Sequence, residues 1–224
     1  LWRAQSHRCL GWSLFCNGQL RAGAEHLSIA LALFDRLQAQ EHVRTQGAHP
    51  WVVGFVNTAL LEWFAGNADR AIERSREGLD LARELQVPLP LAYALCMSAK
   101  VHCLRREPEP ALTLAGEAIE LAVKHGMPYW SSWGSILQGW SLVHLGQHAP
   151  GLVAMHEGLE AYRATGAKLF EASSLALLAE GYATAGNLDR APETIGRALD
   201  DPLVADGYFY TPELHRLHGG LLHA

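Results

Sequence analysis

Histidine and cysteine are the residues here that could do chemistry, and their spacing limits what that chemistry is. The 224 residues include 12 histidines and 4 cysteines. His215 and His218 stand three apart, so on a helix they share a face and could offer two ligands to a divalent metal. His223 comes well round the helix from His218, with Gly219-Gly220 between, which argues against a third ligand. Solvated imidazoles on a frayed terminal helix are the plainer reading. His144 and His148 flank a helix-to-helix turn, which breaks helical spacing. Ser131, Ser132 and Ser135 lie near His125, but serines near a histidine on helices are commonplace. There is no Gly-x-Ser-x-Gly elbow, and no glycine-rich loop runs into Lys-Ser or Lys-Thr, so nothing signals acyl transfer or a phosphate cradle. Cys9 and Cys16, like Cys96 and Cys103, are seven apart, which on a helix separates the Cα atoms by about 10 Å, beyond disulfide reach. Free thiols in a reducing cytosol are expected. The chain is therefore predicted to be cytoplasmic, non-enzymatic, and without catalytic residues, metal or cofactor.

Recognition is better supplied, because tryptophan offers a large contact area with a hydrogen-bond donor at its edge. Where the seven tryptophans fall depends on the elements that carry them. Small residues give those elements. Gly11, Ala59, Ala99, Gly139 and Ala179 form one series; Gly23, Ala71, Ala111, Gly151 and Ala191 a second; Ala30, Gly78, Ala118, Gly158 and Ala198 a third. In each the steps are 48, 40, 40 and 40 residues. Small side chains in fixed phase are what stacked helices need where backbones approach closely. The spacing of twelve and then seven within a unit matches the tetratricopeptide pattern, at a period longer than the usual 34 residues.

Turn signals fall in phase. Asn17-Gly18, Gly66-Asn67, Gly146-Gln147 and Gly186-Asn187 each end one helix and begin the next, with glycine suited to the C′ position and asparagine to the N-cap. Arg105-Arg106-Glu107-Pro108 takes that place in the third unit. The predicted fold is all-α: a right-handed superhelix of five helix pairs plus a closing helix, as one domain. Units run about 1–40, 49–87, 88–127, 128–167 and 168–207, with the closing helix at 211–223. First helices are expected near 2–17, 50–65, 89–105, 128–145 and 168–185, and second helices near 20–39, 68–86, 108–125, 148–165 and 188–200. Pro192 predicts a kink or late start in the last of these. Eight extra residues, Glu41 to Ala48, and the link from Asp200 to Tyr210 are irregular.

All seven tryptophans fall on first helices, which line the concave face of a tetratricopeptide superhelix. Aligning units by their small residues predicts a groove lined by Trp12, Trp63, Tyr93, Lys100, Trp133, Trp140 and Glu180, aromatic with few charges. Such a wall suits a peptide or a small organic ligand. Charges on second helices, such as Asp69, Arg70, Glu73 and Arg74, read as a solvated face.

Composition excludes other classes. Charged residues make up only 18% of the chain, its net charge is −5, and its pI is near 6.2 without a basic stripe, so a nucleic-acid partner is not expected. The most apolar window, Trp51 to Gly66, contains Asn57, Thr58 and Glu62 and is too short and polar to span a membrane. The chain opens on Leu1 rather than Met, which reads as a piece of a longer protein.

Longer words in the sequence resemble a known family. LARELQVPLPLAYAL (81–95), HGMPYWSSWGSILQGWSLVHLGQ (125–147), YRATGAKLFEASSLALLAEGYATAGN (162–187) and ELHRLHGGLL (213–222) are similar to the C-terminal tetratricopeptide region of bacterial multidomain signalling ATPases. In that family a STAND-type NTPase precedes the array, often with a class III adenylate or guanylate cyclase or a DNA-binding domain. The resemblance covers the chain from about residue 47, with Arg106 and Pro192 as departures. It implies a regulatory arm that binds a protein, peptide or effector in its groove and modulates neighbouring NTPase or cyclase domains. Two other readings remain open: a small-molecule sensor like the superhelical arrays of transcription regulators, and a structural or homodimerisation arm.

Overall fold

The computed structural model describes residues 2–33, 49–205 and 208–221, and among them every regular element is a helix. The helices are α1 (Trp2–Cys16), α2 (Leu20–Leu33), α3 (Pro50–Phe64), α4 (Ala68–Leu85), α5 (Pro88–Leu104), α6 (Pro108–Lys124), α7 (Pro128–His144), α8 (His148–Ala164), α9 (Glu171–Thr184), α10 (Arg190–Leu199), α11 (Pro202–Ala205) and α12 (Thr211–Leu221). Their boundaries follow local chemistry. Pro50, Pro88, Pro108 and Pro128 open four of them, where the missing N–H is one that no helix could pair. Gly66 ends α3's turn at φ 87, a conformation that brings a Cβ against its own carbonyl in other residues. Arg106 holds the equivalent place at φ 64.

Packing divides the chain into two compact units, Leu1–Arg105 and Arg106–Ala224. In the first, α1 pairs with α2 and α3 with α4, and α5 packs on both α3 and α4. In the second, α7 packs against α6, α8 and α9, while α10 joins α9 to α12. The small residues sit where the expected close approach needs them. A methyl built on Gly11 would lie 2.9 Å from the Gly23 carbonyl oxygen, and one on Gly139 would lie 2.5 Å from that of Gly151.

Several boundaries differ from the sequence reading. The second helix of the first unit is described only to Leu33; its expected extension to 39 and the insertion at 41–48 lie outside the described residues. Helix α9 starts at Glu171 rather than 168, and α10 starts late, with Pro192 at its third residue. Asn67 precedes α4, but its side chain donates to Glu62 Oε2 at 2.7 Å instead of capping the helix.

The link after α10 contains α11 and closes as an aromatic clasp. Tyr208, Phe209 and Tyr210 are buried. Phe170 stacks flat on Trp133, with centroids 4.5 Å apart and planes 3° apart, and meets Phe209 edge-on at 6.4 Å. The clasp also satisfies backbone groups: the Tyr208 hydroxyl donates to the Leu169 carbonyl at 2.6 Å, and the Phe170 N–H donates to Tyr162 Oη at 3.2 Å.

Candidate binding site

In the first unit, three first helices contribute to one polar locus. Asn57 lies mid-way along α3, fully buried. The Tyr93 hydroxyl on α5 donates to its Oδ1. Arg8 and Cys16 on α1 act on the same phenol: burial raises the Tyr93 pKa above its ordinary value, and the Arg8 charge opposes that rise. Arg8 is itself oriented by Gln5, donating from Nε to Oε1 at 2.7 Å. The Asn57 amide nitrogen has no hydrogen-bond partner among the described residues. Leaving such a buried donor unmatched costs about 1–3 kcal/mol, which native proteins rarely tolerate without a reason.

The thiols here are unreactive. Burial pushes Cys16 up to about 12 and raises Cys96 as well, so neither forms the thiolate that chemistry would need.

The structure separates the residues expected in the groove. Trp12, Trp63 and Tyr93 are half-buried and keep part of their surface open. Trp12 lies beside Phe15, with centroids 5.2 Å apart, and Trp63 packs on Ala59, Ala71 and Val101. The expectation that Lys100, Trp133 and Trp140 line an open wall needs correction, because they are only 1%, 1% and 0% exposed. The reason is that neighbouring first helices pack directly on one another, α3 on α5 and α7 on α9, so these positions become core.

Glu180, in the second unit, is the focus of a second polar cluster. Its carboxylate accepts from Trp140 Nε1 at 3.2 Å, pairs with Arg106, and meets His144 Nε2 at 3.2 Å. The His144 ring stacks on Trp140 at 4.0 Å, with Nδ1 2.9 Å from the Trp140 carbonyl oxygen. Burial holds the His144 pKa below the ordinary imidazole value; the Trp140 carbonyl works against this, and Arg106 and His148 add to it. A neutral ring has one N–H, to give either to Glu180 or to that carbonyl.

Sequence reasoning missed the clefts between second helices. In the first unit, a cleft of about 520 Å³ is lined by Ser28 and Leu31 of α2, Phe55 and Thr58 of α3, and Arg70 and Arg74 of α4. In the second, a cleft of about 510 Å³ lies among Arg163 of α8, Lys168 before α9, Glu171 and Leu175 of α9, Arg197 of α10, and the following Asp200, Asp201 and Pro202. Phe55 and Leu175 hold the same repeat position, 120 residues apart. Burial alone would raise the Glu171 pKa, but Arg163 Nε at 2.7 Å and Lys168 Nζ at 3.1 Å outweigh it and hold the carboxyl below its usual range.

Among the described residues no group of three or more His, Cys, Asp or Glu could hold a metal. His215 is exposed and His218 half-buried on α12, and His223 lies outside the described residues. An unanticipated imidazole contact links α1 and α2, with Nδ1 of His7 2.8 Å from Nδ1 of His26, as one shared N–H···N bond requires. None of the described helices is long and apolar enough to cross a membrane.

No protein-family model matches the chain. An uncharacterised protein of Rhizobium meliloti (strain 1021) is 25% identical over 217 residues; the match takes in 95% of this chain, which spans 21% of that relative's length. A Rap protein complexed with competence and sporulation factor superposes at TM-score 0.69 with 14% identity, covering 92% of this chain and 55% of that one. The apo form of RapI gives 0.61 with 13% identity, covering 97% and 77%. A STAND protein with a tetratricopeptide repeat sensor from Pyrococcus horikoshii gives 0.58 with 13% identity, covering 99% and 37%. These likenesses show the fold: an all-α repeat of tetratricopeptide-like helix pairs.

Proposed function

We propose that the chain is a non-catalytic binding module that takes an extended protein or peptide segment against the first helices of Leu1–Arg105. Its regulatory role, modulating NTPase or cyclase domains of a longer parent, rests on the family resemblance. The unmatched Asn57 amide nitrogen carries the binding half. An extended peptide presents backbone carbonyls, and a primary amide offers two N–H groups to them. In the same unit, the half-buried Trp12, Trp63 and Tyr93 offer aromatic area, and Arg8 supplies a cation for an acidic side chain or C-terminus. The Rap structure holding competence and sporulation factor and the STAND protein's repeat sensor are compatible with this use of the fold.

A displayed library of random peptides selected against the immobilised chain tests the reading. Selected peptides should quench tryptophan emission. Asn57→Asp, which keeps the oxygen facing Tyr93 but removes the amide donors, should weaken them at least about tenfold, the size expected for one buried hydrogen bond. A library that yields no binder removes the peptide reading; binders indifferent to Asn57→Asp remove the anchor.

A further inference from the structure

Helix α1 leaves open a face that α3, α5, α7 and α9 each bury. Ser6, Cys9 and Ser13 are exposed, whereas the residues 48, 88, 128 and 168 positions further on are buried in each case. On the same face Trp2 is 73% and Leu10 46% exposed, while Phe170 and Leu178 at the equivalent positions are buried. What covers this face in the later units is the second helix of the unit before. At the Leu10 position, Ser98 Oγ accepts from Ser75 Oγ of α4 at 2.8 Å. A methyl on Gly134, at the Ser6 position, would lie 2.9 Å from Ile119 Cγ1 of α6. One on Gly181, at the Ser13 position, would lie 3.3 Å from Met155 Sδ of α8. The sequence of α1 also repeats that of α7, which α6 covers: Trp2 stands at the place of Trp130, and Gly11-Trp12-Ser13-Leu14 is identical to Gly139-Trp140-Ser141-Leu142. Helix α1 itself packs on α2 and α3, both of which follow it. On α2, Ile29 and Leu33 are exposed as well, at the positions of Arg197 and Asp201, which border the cleft against Arg163 of α8. The open face thus continues across the helix pair.

The geometry points to this face as a docking seat for one further helix pair of the same repeat type. The second helix of that pair lies along Trp2, Ser6, Leu10 and Ser13, with contact side chains such as Ser75, Ile119 and Met155 supply at the described junctions. Burial of Trp2, Leu10, Ile29 and Leu33 drives the docking. Ser6 permits the close approach, since Gly54, Ala94, Gly134 and Ser174 keep its position small in the four units that follow. A second copy of this chain, docked face to face, would offer α1 against α1, a first helix where the junctions take a second helix. Peptide binding at Asn57 and docking on this face can each fail without the other.

An added unit in register tests this. A second copy of residues 88–128, carrying α5 and α6, is fused ahead of Leu1, so that Trp2 follows Pro128 at the spacing Trp130 has. Cys9 reports the docking: its thiol is exposed, and Leu137 at the same position is buried. Alkylation of Cys9 by iodoacetamide, read by peptide mass mapping, should slow at least about tenfold in the fusion relative to the 224-residue chain. Helical circular dichroism should rise by one unit's worth, because a repeat folds only against a neighbour. Ser6→Phe, at an exposed position, should leave the unfused chain folded by circular dichroism. In the fusion it should return Cys9 to within about twofold of its free rate. Undiminished Cys9 alkylation, or an added unit that stays unfolded, overturns the inference, and so does equal protection with Ser6→Phe. Dimers of the unfused chain in light scattering, with Cys9 protected and released on dilution, would overturn it too by giving the seat to a second copy.

Discussion

Trp140 and Glu180 hold the same position in successive repeats, 40 residues apart, and they touch: the indole Nε1–H donates to the Glu180 carboxylate at 3.2 Å. The indole is fully buried and the carboxylate is not, so the bond fixes a partly open acid from beneath. Arg106 and His144 complete its shell. Trp140→Phe deletes the donor and leaves a smaller ring in a closed space, and it should cost about 2–3 kcal/mol in urea unfolding. Glu180→Gln keeps an acceptor for the indole and should cost about 1 kcal/mol or less. A Trp140→Phe loss below about 0.5 kcal/mol would remove the indole from the list of structural determinants.

His144 makes stability depend on pH. Its folded pKa lies below the ordinary imidazole value, from burial first and then Arg106 and His148. His156 is lowered too, by burial and Arg190, with Glu160 opposing. The unfolded chain therefore takes up a proton at a higher pH than the folded chain. Stability is fully present above the ordinary imidazole value and is lost as pH falls through it toward the folded pKa. Thermal melts should show a lower Tm at pH 5.5 than at 7.5, and His144→Gln should reduce that difference. An undiminished difference in the variant would assign the pH dependence elsewhere.

The repeat phase was legible because glycine and alanine act by absence: backbones approach only where no side chain stands, and Gly139 against Gly151 shows that contact. Helix ends were legible through Pro88 and Pro128, since proline acts on its own backbone. Side-chain destinations were not. Tryptophan suits an open wall and a core equally, and periodicity cannot say how closely neighbouring first helices pack; that distance buried Trp133 and Trp140. Asn57 was invisible for the same reason, as its meaning depends on Tyr93, 36 residues away. The cleft around Glu171 joins residues from a first helix, two second helices and the following link, each unremarkable alone. The aromatic run at 208–210 did carry a signal, three adjacent rings in a supposedly irregular link, which is costly to leave in water.

Glycines in this chain divide by what a methyl would meet. At Gly139 it would lie 2.5 Å from the Gly151 carbonyl and 2.8 Å from the Met155 nitrogen, both backbone atoms that move only if α7 and α8 separate. Gly139→Ala should therefore destabilise by about 3 kcal/mol. At Gly196, within α10, nothing lies within 4 Å. Gly196→Ala should stabilise by about 0.5–1 kcal/mol through helix propensity. Both are read from urea unfolding of the two variants side by side, and the same sign for both would contradict the packing.

Among the described residues, Gln86 at φ 53 and Arg106 at φ 64 are the two non-glycine residues with left-handed backbones, and they should respond differently to glycine. The left-handed conformation costs an L residue about 1–2 kcal/mol, of which glycine's looser unfolded chain takes back about 0.4–1. Gln86→Gly should thus gain about 0.5 kcal/mol. Arg106→Gly gains the same backbone term but withdraws the guanidinium from Glu180. That side chain is 45% exposed, so the pair is worth less than about 1 kcal/mol, and the net change should fall within about 0.5 kcal/mol of zero. Arg106→Ala keeps the backbone cost and loses the pair, so it should be the least stable of the three. Urea unfolding gives the order directly. If Arg106→Gly proved less stable than Arg106→Ala, Arg106 would not be paying a backbone cost at all.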